Sequence, residues 1–177
     1  SAGSSDDALT ASSDSQQEDD ENGCGGSTRE KPFPQDKIIE CGDWSVSISV
    51  AVNLPDEMIL AANSANDVPE SGGKYVAVRL KATYNGSGTG NLTDVFGTMD
   101  GFLIGRLNNR YEEDMPCCKN DWDPWLFADD PYEGGTVEGN LFFNTDSGDG
   151  DFVLALDFDS YNDVKAWIAV EPVLGKD

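Results

Sequence analysis

The clearest feature of this chain is a series of short segments in which apolar and polar side chains alternate one by one. In the segment from Lys74 to Asn85, one side of an extended chain carries Val76, Val78, Leu80, Ala82 and Tyr84, and the other side carries Ala77, Arg79, Lys81 and Thr83. A period of two is typical of a strand with one packed face and one wet face. The pattern therefore predicts a sheet whose packed face must meet a second layer.

The same alternation recurs along the chain and predicts the remaining strands. From Trp44 to Val52, a single face carries Trp44, Val46, Ile48, Val50 and Val52. Further strands are predicted at residues 92–96, 101–104, 136–143, 152–158 and 164–170, whereas Met58 to Ala62 fits either a strand or one helical turn. About seven short strands without an amphipathic helix predict an all-β domain, an antiparallel β-sandwich.

The first part of the chain lacks the residues that a core needs. Residues 1–30 consist largely of Ser, Asp, Glu, Gly and Gln, with Leu9 as the only large aliphatic side chain. Such a composition cannot bury enough apolar surface to offset the entropy lost on ordering. Pro32-Phe33-Pro34 then disfavours regular structure. We therefore expect residues 1–36 to be a disordered acidic tether and residues 37–177 to form the sandwich.

The chain is strongly acidic, and this charge excludes some partners. It has 34 acidic and 11 basic residues, a net charge of -23 at pH 7. Residues 1–30 hold eight acids and one base, a net charge of -7, so the remainder carries -16. Such a field repels nucleic acid and anionic membrane surfaces. Because no run of 18 or more apolar residues exists either, we expect no nucleic-acid partner and no membrane-spanning segment.

The four cysteines, Cys24, Cys41, Cys117 and Cys118, fit disulfides better than a metal site. Their spacing contains no C-x-x-C element, and the chain has no histidine to complete a zinc site. The neighbours Cys117 and Cys118 would form a strained ring if they bonded to each other. We therefore expect each to bond to Cys24 or Cys41, which implies an oxidising compartment.

The sequence does not single out a catalytic group. The absence of histidine excludes triads that use an imidazole base, and no spacing marks a pair among the many carboxylates. We therefore expect no enzyme activity, no catalytic residue and no cofactor. The acidic stretch from Asn144 to Asp151 and the pair Asp129-Asp130 have oxygen ligands for calcium, but Gly148 occupies a ligand position of the EF-hand pattern. A solvated turn is the favoured interpretation, and no metal site is predicted.

Residues 106–131 form a long connection that is rich in aromatic side chains. Within it lie Trp122, Trp125 and Phe127, and aromatic residues in a loop can anchor a protein or stack on sugar rings. We therefore interpret these three as candidate binding residues. The alternative is a loop that folds back and covers one open end of the sandwich with its Trp and Phe side chains.

Three stretches together resemble a known family. They are the strand from Tyr75 that ends in Asn85-Gly86, the Gly134-Gly135 turn that leads into the next strand as far as Phe143, and the acidic leader before them. They resemble the telokin-like domain-of-unknown-function lipoproteins of Gram-positive bacteria, whose immunoglobulin-like sandwich is shared with a secreted immunoprotective antigen family of actinobacteria. The resemblance covers about Asp43 to Val173.

This resemblance implies an immunoglobulin-like sandwich and a lipid anchor on a cysteine just before Ser1. It implies no established catalytic site, so no functional residue is transferred. We expect an extracellular, cell-surface anchored module, exported by a signal peptide, that binds a protein or a cell-wall carbohydrate and catalyses nothing. The alternative is a carbohydrate-active or metal-dependent enzyme that uses an acidic cleft.

Overall fold

The computed structural model describes residues 24–91, 101–114, 130–159 and 164–175. These residues contain nine strands and one short helix. The elements are β1 (Ile39–Cys41), β2 (Trp44–Leu54), α1 (Asp56–Ala62), β3 (Gly73–Tyr84), β4 (Gly101–Ile104), β5 (Arg110–Glu112), β6 (Thr136–Asp146), β7 (Phe152–Asp159), β8 (Val164–Val170) and β9 (Val173–Leu174). The segment from Met58 to Ala62 is therefore helical, and the strand predicted at residues 92–96 lies outside the described residues.

The strands form two sheets, as the alternating pattern predicts. The first sheet has the order β1-β2-β3-β6, and β9 adds to β2 in parallel. The second sheet has the order β5-β4-β7-β8. Neighbours in both orders are antiparallel. The prediction of an antiparallel β-sandwich is confirmed. No helix in the described part of the chain is long and apolar enough to span a bilayer.

The core lies between the sheets and is built from one face of each strand. From the first sheet come Val76, Val78, Leu80, Leu141 and Phe143, and from the second come Leu103, Leu154, Leu156 and Ile168, all buried. Trp167 points away from this core, as its position next to Ile168 requires, and packs edge-on against Phe102 at 5.9 Å between ring centroids. Alternation along each strand thus fixes which residues are buried.

Strand β2 departs from the predicted pattern at a β-bulge. Ile48 pairs with Leu80, but the next paired residue is Val50, opposite Arg79. Ser49 is the extra residue, and it shifts the alternation by one position. Trp44, Val46 and Ile48 therefore face the core, whereas Val50 and Val52 lie on the outer face of the sheet. The prediction that all five share one face is wrong after the bulge.

Both seams between the sheets are closed. On one side, Glu113 forms a β-bridge to Phe143 and Asp114 N donates to Phe142 O at 2.8 Å, which joins the end of β5 to β6. On the other side, residues 24–36 run along β8. Phe33 N donates to Trp167 O and Ala169 N donates to Phe33 O, each at 2.8 Å.

The disulfide pairing differs from the prediction. Cys24 bonds to Cys41, the last residue of β1, and both are buried in the core. Neither therefore bonds to Cys117 or Cys118, which lie outside the described residues. The physical reason is proximity: the segment on β8 returns Cys24 to the adjacent end of β1, with a Cα–Cα distance of 4.6 Å.

Residues 24–36, which the sequence analysis assigned to the tether, are attached to the sandwich. Residues 24–36 supply a buried cysteine, the paired Phe33 and Ser27, whose Oγ accepts a hydrogen bond from Trp167 N at 2.8 Å. Composition missed this attachment because it rests on backbone hydrogen bonds and one disulfide, to which polar residues contribute as well as apolar ones.

Candidate functional site

The residues that sequence analysis selected for binding are not among those that the structure describes. Trp122, Trp125 and Phe127 lie between Asp114 and Asp130, the described residues that flank this part of the chain. Their role in binding stays a prediction.

The acidic turn from Asn144 to Asp151 uses its carboxylates to hold its own backbone. Asp149 is almost completely buried, with 3% of its surface exposed. Its Oδ1 accepts hydrogen bonds from Gly150 N at 2.8 Å and Leu107 N at 3.1 Å, and its Oδ2 accepts one from Tyr111 Oη at 2.9 Å. Asp146 Oδ1 accepts one from Gly148 N at 2.7 Å. The turn after β6 is thereby fastened to the turn between β4 and β5.

This environment changes the pKa of two groups. Burial alone would raise the pKa of Asp149, but the hydrogen bonds from Leu107, Gly150 and Tyr111, together with the charge of Arg106, lower it overall. The pKa of Tyr111 is raised, mainly by burial. Asp149 is thus an ionised structural acceptor. In the part of the chain that the structure describes, no group of three or more metal-ligating side chains occurs.

A different surface has the shape of a binding site, and it lies on the outer face of the first sheet. Beyond the bulge, β2 presents Val50, Val52 and Leu54 outward, next to Ala77 of β3. A second apolar cluster forms there from Leu54, Ile59, Tyr75, Ala77 and Phe142. The outer face of a sandwich sheet is usually polar, so this apolar area calls for an explanation.

Helix α1 and strand β9 form the walls above this area. Ile59 of α1 is fully buried against the sheet, and Met58 lies half-buried beside it. Strand β9 pairs with β2 at Val52 and Asn53, and Gly175 N then donates to Asn53 O at 2.9 Å. A Cβ atom on Gly175 would lie 2.8 Å from Met58 Sδ and 3.0 Å from Val52 Cγ1, so the backbone directly after β9 packs closely on these two side chains.

Between these walls runs an open apolar groove, the outer-face groove, with a volume of about 500 Å³. Its lining residues are Val50, Val52, Leu54, Met58, Ala77, Arg79, Asn140, Val173, Leu174 and Gly175. Val173 and Leu174 leave 58% and 68% of their surface exposed, and Val50 leaves 36%. The volume lies within the range of small-ligand sites.

The groove has one polar end. Val50, Arg79 and Asn140 stand side by side on neighbouring strands, and Arg79 Nε donates to Asn140 Oδ1 at 3.3 Å. Among the described residues that line the groove, Arg79 is the only one with a charged side chain. Two residues further along β2, Val52 lies beside Ala77 of β3, and two residues beyond Val52 lies Leu54. The groove thus leads from a cation at one end to an apolar region under α1 and β9.

Tyr75 supports the apolar end from below. It is buried in the cluster with Leu54 and Ile59. Its pKa is raised, first by burial and then by the negative charges of Asp114 and Asp67. Since the ordinary pKa of a phenol is already near 10, Tyr75 stays neutral at physiological pH.

Sequence analysis did not find this groove. The alternation from Trp44 to Val52 continues unbroken through the bulge, so the pattern does not indicate that Val50 and Val52 face outward. The available signal lay in Ala77 and Phe142, which are apolar although they occupy wet-face positions of their strands.

Two solved structures are similar to this chain. One is a conserved hypothetical protein from Bacillus anthracis, with 12% identity, a TM-score of 0.48 and coverage of 76% of this chain and 94% of that chain. The other is a putative lipoprotein from Staphylococcus aureus, with 14% identity, a TM-score of 0.41 and coverage of 81% and 97%. No protein-family profile and no curated protein matches the sequence.

Proposed function

We propose that this chain is a non-catalytic binding module of the extracytoplasmic cell surface and that it binds its ligand in the outer-face groove. The observation that carries the proposal is the groove itself, an apolar concavity on paired strands in which Arg79 is the one charged side chain among the described lining residues. Rigid strands hold a binding surface in a fixed shape, which lowers the entropy lost on binding.

The proposed location has separate support. The disulfide between Cys24 and Cys41 is a feature of proteins that fold in oxidising compartments. We propose that the acidic residues before Cys24 serve as a spacer between the domain and a lipid anchor, since their composition is low in apolar side chains. We propose the anchor, the signal peptide and the kinship with telokin-like lipoproteins, including an immunoglobulin-like sandwich, on the basis of the sequence resemblance.

The test compares capture by two matched variants. Val50→Glu introduces a carboxylate at the groove, and Val68→Glu introduces one at a valine of nearly equal exposure, 39% against 36%, outside the groove. Immobilised domains are incubated with cell-envelope lipids, cell-wall carbohydrate and secreted proteins. We expect the wild type and Val68→Glu to retain the same component and Val50→Glu to lose it.

Equal retention by all three proteins would refute the groove as the binding surface. The same incubations also test for catalysis, because an enzyme would convert the cell-wall carbohydrate or the lipid. A new product formed in proportion to protein concentration would contradict the non-catalytic assignment and favour the enzyme with an acidic cleft.

The aromatic segment is a second proposed contact. We propose that Trp122, Trp125 and Phe127 touch a protein or carbohydrate partner, since aromatic side chains are frequent at interface hot spots. Replacing Trp122 and Trp125 together by alanine should then weaken capture at least tenfold without changing the melting temperature. A lower melting temperature with unchanged capture would instead support the loop as a lid on the sandwich.

A further inference from the structure

We propose that the ligand of the outer-face groove is a single-chain anionic amphiphile, with its acyl chain along the strands and its carboxylate on Arg79. This inference rests on the proposed function and specifies its ligand class. It starts from the separation of polar and apolar residues along the groove. Arg79 and Asn140 lie in one row, and every other lining residue that the structure describes is apolar or glycine.

The position of Arg79 leaves its charge available to a ligand. Its cross-strand neighbours are Val50 and Asn140, and neither is charged. The next outward residue of β3, Lys81, differs in this respect because it stands opposite Glu138. A guanidinium can bind a carboxylate through two parallel hydrogen bonds, and the bond from Nε to Asn140 Oδ1 fixes the orientation of its plane.

The groove fits a linear chain of limited length. From the row of Arg79 to the row of Leu54 is four residues, about 13 Å along the strands. An extended acyl chain of about ten carbons spans such a distance. It would contact Val52, Ala77 and Leu54 and end near Met58 and Leu174, where the walls of α1 and β9 shield it from water.

The sheet backbone favours an acyl chain over a peptide. Along the groove, β3 is paired with β2 on one side and β6 on the other, so the peptide groups of the floor are used within the sheet. A bound peptide would need partners for its own N–H and C=O groups, and among the described lining residues only Arg79 and Asn140 have polar side chains. A hydrocarbon chain has no polar group to satisfy.

The test uses three probes with the same chain and different head groups: decanoate, decanol and decyltrimethylammonium, each below its micelle concentration. Titration calorimetry on the full chain should show the tightest binding for decanoate, at least tenfold weaker binding for decanol, and the weakest for the cation. Octanoate should bind about fifteenfold more weakly than decanoate, because each buried methylene contributes about fourfold.

Variants of Arg79 separate the contribution of the ligand's head group to binding from that of its acyl chain. Arg79→Met should lose the preference for decanoate over decanol and keep the affinity for decanol, whereas Arg79→Lys should retain part of the preference. Chemical-shift changes on adding decanoate should appear at Val50, Ala77 and Asn140 and not at Val68. Arg79 is outward and half-exposed, so circular dichroism of both variants should match the wild type.

Several results would overturn the proposal. If decyltrimethylammonium bound most tightly, the net negative charge of the chain, and not Arg79, would determine which head group is preferred. Equal binding of decanoate and decanol, or an unchanged preference in Arg79→Met, would remove Arg79 as the head-group site. If no decyl compound binds while Val50→Glu still abolishes capture of an envelope component or peptide, the proposal of an anionic amphiphile is refuted and the proposal of a binding module is retained. If both experiments fail, both proposals fall.

Discussion

Asp149, in the turn after β6, is hydrogen-bonded to the turn between β4 and β5. The residue of that second turn that lies against its carboxylate is Gly105. A Cβ atom on Gly105 would overlap the carboxylate of Asp149. The carboxylate cannot move away without losing the hydrogen bonds from Leu107 N and Tyr111 Oη. Gly105 is therefore required by close packing and not by a positive φ.

We predict that Gly105→Ala lowers the free energy of unfolding by about 2 to 3 kcal/mol, because it breaks buried hydrogen bonds of a charged group. Gly150→Ala is the matched control, since the nearest atom to its new Cβ would be Arg106 Nη1 at 3.8 Å. That control should stay within about 0.5 kcal/mol of the wild type. Urea denaturation measures both, and equal stability of the two variants would contradict the role of Gly105.

The lowered pKa of Asp149 makes a pH-dependent contribution to stability. The folded state favours the ionised carboxylate, so this stabilisation is present above the unfolded pKa of about 3.9 and is lost as the pH falls through the lower folded pKa. Asp149→Asn keeps an oxygen for Leu107 N and Gly150 N but removes the charge.

We therefore predict that the wild type exceeds Asp149→Asn by about 1 to 2 kcal/mol at pH 7 and that this difference shrinks below about pH 4. Unfolding in urea at a series of pH values measures it. Asp151→Asn, a change at an exposed carboxylate in the same turn, should show a difference below about 0.5 kcal/mol. A difference for Asp149→Asn that is constant from pH 7 to pH 3 would exclude the charge as its cause.

At the scale of elements, the bulge in β2 gives one strand two different faces. Before Ser49, the even-numbered side chains of β2 pack into the core. After Ser49, the even-numbered side chains line the outer-face groove. A regular strand would have kept one apolar face throughout, so a single unpaired residue is what makes the groove apolar.

Deleting Ser49 should therefore be tolerated, because Val50 would follow Ile48 directly and every observed pair with β3 would be retained. We expect the melting temperature to change by a few degrees at most. Deleting Ser47 should unfold the protein, since it moves Ile48 to an outward position or forces Trp44 and Val46 out of the core. If both deletions had the same effect, the assignment of Ser49 as the extra residue would be wrong.

At the scale of the whole molecule, residues 24–36 hold the two sheets together on one side. The segment pairs with β8 of the second sheet and is bonded through Cys24 to β1 of the first. The covalent bond closes a loop with a sequence separation of 17, which contributes about 3 kcal/mol in the chain-entropy model.

We predict that removing residues 1–23 leaves the melting temperature unchanged and that removing residues 1–36 lowers the free energy of unfolding by more than about 3 kcal/mol. Thermal and urea unfolding of both truncations measure this. Replacing Cys24 and Cys41 by alanine in the full chain should account for about 3 kcal/mol of the loss. If the chain that lacks residues 1–36 were as stable as the full chain, the domain boundary predicted from composition would be correct.

The sequence by itself determined the fold class and the packed faces of most strands. Alternation of side chains is a local property, and it correctly assigned Val76, Val78 and Leu80 to the core because a strand has a fixed period of two. The Gly134-Gly135 turn before β6 was also visible in the sequence as a pair of glycines, and Gly134 has a positive φ of 76°.

Only the tertiary structure decided the cysteine pairing, the attachment of residues 24–36 and the groove. Each depends on which distant segments become neighbours: Cys24 beside Cys41, Phe33 beside β8, and Gly175 against Met58. The bulge belongs to the same class, because an extra residue in one strand is defined only by its partner strand. Contacts between distant segments produce no regular spacing of apolar residues along the chain, so the alternation pattern could not predict them.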